Sequence, residues 1–312
     1  MVPDLHRPIR PRPFASPRPW SGSRLGAGIG ERWLAGPASL VRLADRSTPS
    51  LDELAAVHGA ALVGTRGIER LGARFPLLVK LIDAADWLSL QVHPSDAVAR
   101  LLYGPDAVGK AEAWVVLGAN PGTRLVTGPR LDLAPEGVLA AIRAGTMGHA
   151  ECETHAAVPG DVLNLRAGTI HAIGAGTFVY EIEQPSDLTF RISDWGRPAT
   201  PDRHLHLDEA LAAVDVGFQA VPAGTGWRLA GGRLDAGHFS LEIIDAEDPG
   251  DRAPRGRTVE IVTAVDGPVL LEGDGWRETV EPLAAAVIPA AVESYRVVPG
   301  PGARALVGGL PA

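Results

Sequence analysis

The chain has one cysteine, Cys152, among 312 residues, so no disulfide can form within it. A cysteine-poor chain fits a reducing compartment, and the cytoplasm is the expected location. No apolar run approaches the ~20 residues that a membrane-spanning helix requires. The first nineteen residues are rich in Pro and Arg and lack an apolar centre, so they read as an extended or disordered tail and not as a secretory signal. A basic surplus is also missing. With 29 Lys and Arg against 37 Asp and Glu, the net charge is -8, which leaves no general footprint for nucleic acid or an anionic membrane. The expected partner is a small molecule, and composition gives no oligomeric state. Charged residues are 21% and hydrophobic residues 46%, an ordinary globular balance that excludes wholesale disorder.

What is present suggests two domains, or one barrel elaborated by helices. Ser50 and Glu53 form a capping-box pattern opening a helix to about His58. Phe75–Leu81 is a continuous apolar strand candidate, and Asp86–His93 alternates Trp87, Ser89, Gln91 and His93 on one face with Leu88, Leu90 and Val92 on the other. Helices are expected from Ser95 to Tyr103, from Pro135 to Arg143 and from Leu207 to Val214, with a strand at Ala113–Leu117. Beyond Gly217 the texture changes to short strands split by Gly and Pro. The expected division is a tail over 1–19, a catalytic domain over 20–216 and a smaller β-module over 217–312.

The richest stretch runs from Val158 to Arg197 and reads as strand, turn, strand, turn, strand. Its spacing Gly160-x5-Arg166-x-Gly168-x2-His171 resembles the second conserved motif of the cupin barrels, in which the last histidine binds a metal. The fold expected is mainly β, an antiparallel cupin-type barrel (jelly roll) with a few helices. Pro289-x-Ala291-x2-Ser294 echoes the same motif with serine at the ligand position, so the second module reads as a metal-free copy. Gln91 and His93 share a strand face, Glu112 opens the next strand, and His171 follows in the richest stretch. Buried without partners, such groups would cost about 1–3 kcal/mol each, and a single metal would satisfy all of them.

Taken together, FPLLVKLIDAADWLSLQVHPSD, GKAEAWVVL, GTIHAIGAGTFVYEIEQPSDLTFRISDWGR and HLHLDEAL resemble the type I mannose-6-phosphate isomerases over Phe75–Val214. The resemblance implies one zinc per chain, bound by Gln91, His93, Glu112 and His171. It also implies a catalytic Arg191 with Asp187 four residues before it, a strand glutamate at Glu181 and a motif lysine at Lys110. Departures are visible. Trp20-Ser21-Gly22 stands for the family's WGG, and Arg32-Trp33-Leu34 for its SWE. Gly109 stands where some longer relatives carry a histidine. These changes bear on substrate preference more than on metal binding.

The chemistry implied is aldose–ketose isomerisation of mannose 6-phosphate and fructose 6-phosphate through a cis-enediol. The general base is left open among Glu181, Asp187 and Lys110. Arg191 or Lys110 would stabilise the developing enediolate. On residue type alone, Arg191 is as readily an ion-pair partner of Asp187 or Asp194, Lys110 a surface residue, and Trp87 and Trp114 pocket wall or core. Three alternatives keep the same scaffold: an isomerase of altered sugar-phosphate specificity, a metal-dependent cupin oxygenase and a non-catalytic sugar-binding barrel.

Overall fold

The structure, a computed structural model, describes residues 3–201 and 203–311. Met1 and Val2 of the expected tail, Asp202, and Ala312 of the expected second module lie outside the described residues. The fold is mainly β. Two compact units interleave along the sequence. The site unit comprises Ser16–Glu31 and Ile82–Trp227, and the C-terminal unit comprises Met1–Ala15, Arg32–Leu81 and Arg228–Ala312.

In the site unit, strand Thr177–Glu183 pairs antiparallel with Glu112–Ala119, which pairs with Val162–Leu165, which in turn pairs with Val221–Thr225. All seven residues of Thr177–Glu183 are buried, so this strand is covered on both faces. Alternation sets Val179, Glu181 and Glu183 on one of those faces. Val179 packs there with Trp114, Val116, Leu163 and Leu165, which makes a dry platform around the carboxylates. A second pair, Leu90–Val92 with Phe190–Ser193, is joined to the segment carrying His171 by the bridge Gln91↔His171. Helices Pro135–Ala144 and Leu207–Ala213 cover this pair, burying Val138, Ile142 and Ala210 against Leu90, Val92 and Phe190. Each Val, Leu, Ile or Phe side chain buried in this way contributes roughly 1.5–3 kcal/mol.

The expected long alternating strand Asp86–His93 is shorter than its pattern, with ladder pairing only over Leu90–Val92. Before it, the Trp87 amide donates to its neighbour Asp86 and the Leu88 amide to the distant Ile173 O, without a continuous ladder. An antiparallel pair without a clear sequence signal, Arg124–Pro129 with Cys152–Ala156, also belongs to this unit, its strands separated in sequence by helix Pro135–Ala144.

The C-terminal unit has two antiparallel sheets. One runs Arg233–Asp235, Ser240–Asp245, Arg304–Gly309, Glu260–Val265, Ala285–Ile288, and the other Gly250–Arg252, Tyr295–Pro299, Val269–Gly273, Trp276–Val280. Ile244, Val262, Val269, Leu271, Val297 and Val307 form their shared core. The Ser50–Glu53 capping box opens helix Leu51–His58 as expected. A second helix, Ala60–Leu71, escapes the sequence pattern because Gly64 and Gly67 interrupt it. Ile9, in the expected tail, is buried and exchanges two backbone hydrogen bonds with Val287, so this part of the tail is extended and anchored. Among the described residues, no helix is long and apolar enough to cross a membrane.

Candidate metal centre

Three segments of the site unit converge. Strand Leu90–Val92 supplies Gln91, and His93 follows it. Strand Glu112–Ala119 opens with Glu112, and the turn after Leu165 delivers His171. His93 Nε2 lies 3.2 Å from Glu112 Oε2, and His171 Nε2 lies 3.3 Å from Glu112 Oε1. Ligand atoms of His93, Glu112 and His171 all fall within 4.8 Å of one another. Gln91 closes the group, its side-chain amide 3.2 Å from His171 Nε2. A half-turn of the Gln91 amide about its last bond presents its oxygen to the cluster.

Both imidazoles are oriented from behind. His93 Nδ1 lies 2.8 Å from Leu188 O and His171 Nδ1 lies 2.8 Å from Thr169 O. A carbonyl at Nδ1 fixes that nitrogen as the donor and leaves the Nε2 lone pair pointing into the cluster, as metal-binding histidines require. Burial pushes the His93 pKa down to about 4, with the Lys110 charge adding to the effect. Burial lowers His171 as well. Both rings are therefore neutral near pH 7.

Lys110 is not a surface lysine. It is 4% exposed, and its ammonium lies 2.9 Å from Glu112, 2.9 Å from Glu183 and 3.1 Å from His93 Nε2. Burial alone would lower its pKa, but Glu112, Glu183 and Glu181 hold it well above the ordinary lysine range. Glu112 shows the reverse balance. Burial raises its pKa, and the Lys110 charge outweighs that and holds the group well below the usual carboxylate range. Glu181, also buried, accepts from Trp114 Nε1 at 2.9 Å and sits 4.0 Å from Lys110. Three buried carboxylates against one ammonium leave a formal excess of two negative charges, that of one divalent cation.

Sequence reasoning missed Glu183, although the strand's period of two sets it beside Glu181 and opposite Glu112. Asp96 and Gln184 also escaped notice. Asp96 accepts from the Gly109 amide and the Gln184 side chain, and Gln184 in turn accepts from the Ala111 amide. Together they pin the turn carrying Lys110. Gly109 is sterically required there, because a Cβ would lie 2.5–2.8 Å from backbone atoms of residues 94–96. No histidine fits at this position in this chain.

Arg191 is the register partner of Gln91, which puts both side chains on one face of their strand pair. Its Nη1 donates to His204 O at 2.7 Å, and its buried Nε has no acceptor among the described residues. Asp194, one of the two ion-pair partners its sequence neighbourhood offered, is bound instead by Arg197 and Arg203. Asp187 is exposed, and its charge adds to the hold on Lys110 and on Arg18. Trp87 is half-buried against His149 and Trp195, and Trp114 is core.

Residues 27–112 match the family model Phosphomannose isomerase type I, catalytic domain. The family this chain resembles is the type I phosphomannose isomerases. The mannose-6-phosphate isomerase of Streptococcus mutans is 34% identical over 172 residues, 54% of this chain and 52% of that protein. A Bacillus subtilis relative named as mannose-6-phosphate isomerase ManA is 33% identical over 147 residues, 46% of each chain. In both cases the match spans about half the length of the curated relative. In three dimensions the likeness covers the whole fold. The B. subtilis mannose 6-phosphate isomerase structure aligns over 97% of this chain and 99% of its own, at TM-score 0.78 and 23% identity. A variant of the Salmonella typhimurium phosphomannose isomerase aligns over 96% and 98%, at TM-score 0.72 and 18% identity. The fold expected from the sequence, mainly β and of cupin type, is the one shared with these phosphomannose isomerases.

Proposed function

We propose that the chain is a zinc-dependent aldose–ketose isomerase that interconverts mannose 6-phosphate and fructose 6-phosphate through a cis-enediol. The observation that carries this reading is the buried cluster of Gln91, His93, Lys110, Glu112 and His171, on a fold shared with mannose-6-phosphate isomerases. The donor set fits the metal: two oriented neutral imidazoles, one carboxylate and one amide, with a local excess of negative charge. Zinc held by Gln91, His93, Glu112 and His171 would supply Lewis-acid polarisation of the sugar carbonyl.

The chain's own residues account for the rest. Isomerisation moves a proton from C2 of the open-chain aldose to C1, with one group taking and returning it. Lys110 is held charged by its carboxylates, which suits it to stabilising negative charge on O1 or O2 and not to accepting a proton. Glu181 is tied to the Trp114 indole. Asp187 is the exposed carboxylate of the three candidates and the one a substrate reaches from solvent. We assign it the base role. Arg191, beside Gln91 on one strand face, supports the enediolate as charge develops.

A coupled assay of purified, metal-analysed protein on mannose 6-phosphate, with fructose 6-phosphate in reverse, tests the proposal. Turnover that disappears on chelation and returns with zinc is the expected result. Absence of isomerisation in fully metal-loaded protein overturns it. Oxygen consumption with a redox metal would favour the oxygenase alternative.

A further inference from the structure

The C-terminal unit carries a polar cavity of about 270 Å³, just under the roughly 300–1,000 Å³ of drug-sized sites. Arginines dominate its lining: Arg66, Arg233, Arg252 and Arg257, against Asp251 and Glu260. Two of these cations are already neutralised. Arg252 donates to Glu242 at 2.6 Å and to Glu260 at 2.5 Å, and Arg233 pairs with Glu242 at 3.2 Å. Tyr295 Oη donates to the other Glu260 oxygen at 2.8 Å, so that carboxylate is committed as well. Asp251 lies on the exposed edge, near Arg296.

Arg66 and Arg257 have no carboxylate partner among the described residues, and the buried Arg252 Nε has no acceptor among them. The two residues that carry these guanidiniums are brought together by the backbone and both line the cavity. Helix Ala60–Leu71 breaks at Gly64, which adopts φ 80°. Beyond the break, the Thr65 and Arg66 amides donate to Gly256 O and Arg257 O at 2.9 and 3.0 Å. Gly64 itself lies so close that a Cβ there would fall 2.4 Å from the Arg257 carbonyl. The junction is thus locked at both ends, and the adjacency of Arg66 and Arg257 is built into the fold.

We propose that this cavity is a binding site for a small phosphate-class anion, either inorganic phosphate or a small phosphomonoester. Guanidinium forks match tetrahedral phosphate oxygens, and two unneutralised forks beside an orphaned N–H supply the donors such an anion needs. Every lining residue belongs to the unit that lacks Lys110 and Glu112, so occupancy here does not depend on the activity proposed above.

The test is calorimetric titration of the full chain with inorganic phosphate at fixed ionic strength, with glycerol 1-phosphate as a second arm. The Arg66→Gln/Arg257→Gln double variant should bind phosphate at least tenfold more weakly, with its thermal midpoint unchanged. Arg257→Lys should retain part of the affinity, because the charge stays while the fork is lost. Arg191→Ala, altered in the other unit, should leave this binding intact. Stronger binding of glycerol 1-phosphate than of inorganic phosphate identifies an organic ligand, and the reverse order identifies free phosphate. Equal affinity in the wild type and the double variant overturns the proposal, as does binding abolished by Arg191→Ala alone or reproduced by chloride.

Discussion

Lys110 is one of only two lysines in a chain with 29 cationic Lys and Arg residues, the other being Lys80. At a site crowded by three carboxylates, a compact ammonium fits where a planar guanidinium would need more room and more acceptors. Lys110→Met should therefore destabilise the fold by about 3–5 kcal/mol, since it strands buried carboxylates without a counter-charge. Urea titration of the metal-free protein reads this directly, and a loss under about 1 kcal/mol would return the lysine to a peripheral role. Arg191 presents the opposite case. It is half-buried, hydrogen-bonded through one nitrogen to a carbonyl, and outside the proposed metal shell. Arg191→Ala should lower kcat by on the order of 10²–10³-fold, with zinc content and thermal midpoint near wild type, and Arg191→Lys should fall between. An Arg191→Ala protein that turns over normally, or that fails only through unfolding, assigns the residue to architecture.

Among the elements, the turn before strand Glu112–Ala119 has the least freedom. Its Gly109 touches the backbone of residues 94–96, and Asp96 with Gln184 fixes the amides on either side of Lys110. Gly109→Ala should cost about 1–3 kcal/mol by overpacking, and it should also reduce turnover by displacing Lys110. A structure of the variant with Lys110 unmoved and full activity would show that the turn tolerates the shift. The strand that follows needs no such precision. Its residues are held by the ladder on both sides, with Glu112 opposite Glu183 and Leu165.

For the whole molecule, the neutral buried histidines link stability to pH. The His93 pKa is pushed from the ordinary 6.5 down to about 4. A group depressed in this way binds its proton in the unfolded chain first. The His93 contribution to stability is constant above about pH 6.5 and is lost as the pH drops from there toward 4, roughly 3 kcal/mol in all. In chelator, the thermal midpoint should fall over this window, and His93→Gln should flatten the fall. Zinc at a hundredfold excess over its Kd should add about 2.7 kcal/mol to the wild type near pH 7 and almost nothing to His93→Ala or His171→Ala. A zinc-induced rise of equal size in those variants would place the metal elsewhere.

Much of the fold and of the candidate site was legible in the residues. The capping box at Ser50, the helices after Ser95, Ala134 and His206, and the strands after Gly217 follow from local periodicity and punctuation, which depend on neighbours within a few residues. Gln91, His93, Glu112 and His171 could be named because strand alternation and a family resemblance single them out, and the structure brings all four together. Tertiary structure alone decided the rest. Segment Ala60–Leu71 is helical on either side of a break at Gly64, which packs against the Arg257 backbone where a Cβ would not fit. The roles of Glu183, Asp96 and Gln184, and the burial of Lys110, come from ladder register and hydrogen bonds between segments up to 88 residues apart. A sequence records which groups are available. Which of them share a buried, low-dielectric space depends on long-range pairing, and that pairing sets the charge and orientation on which the proposed chemistry rests.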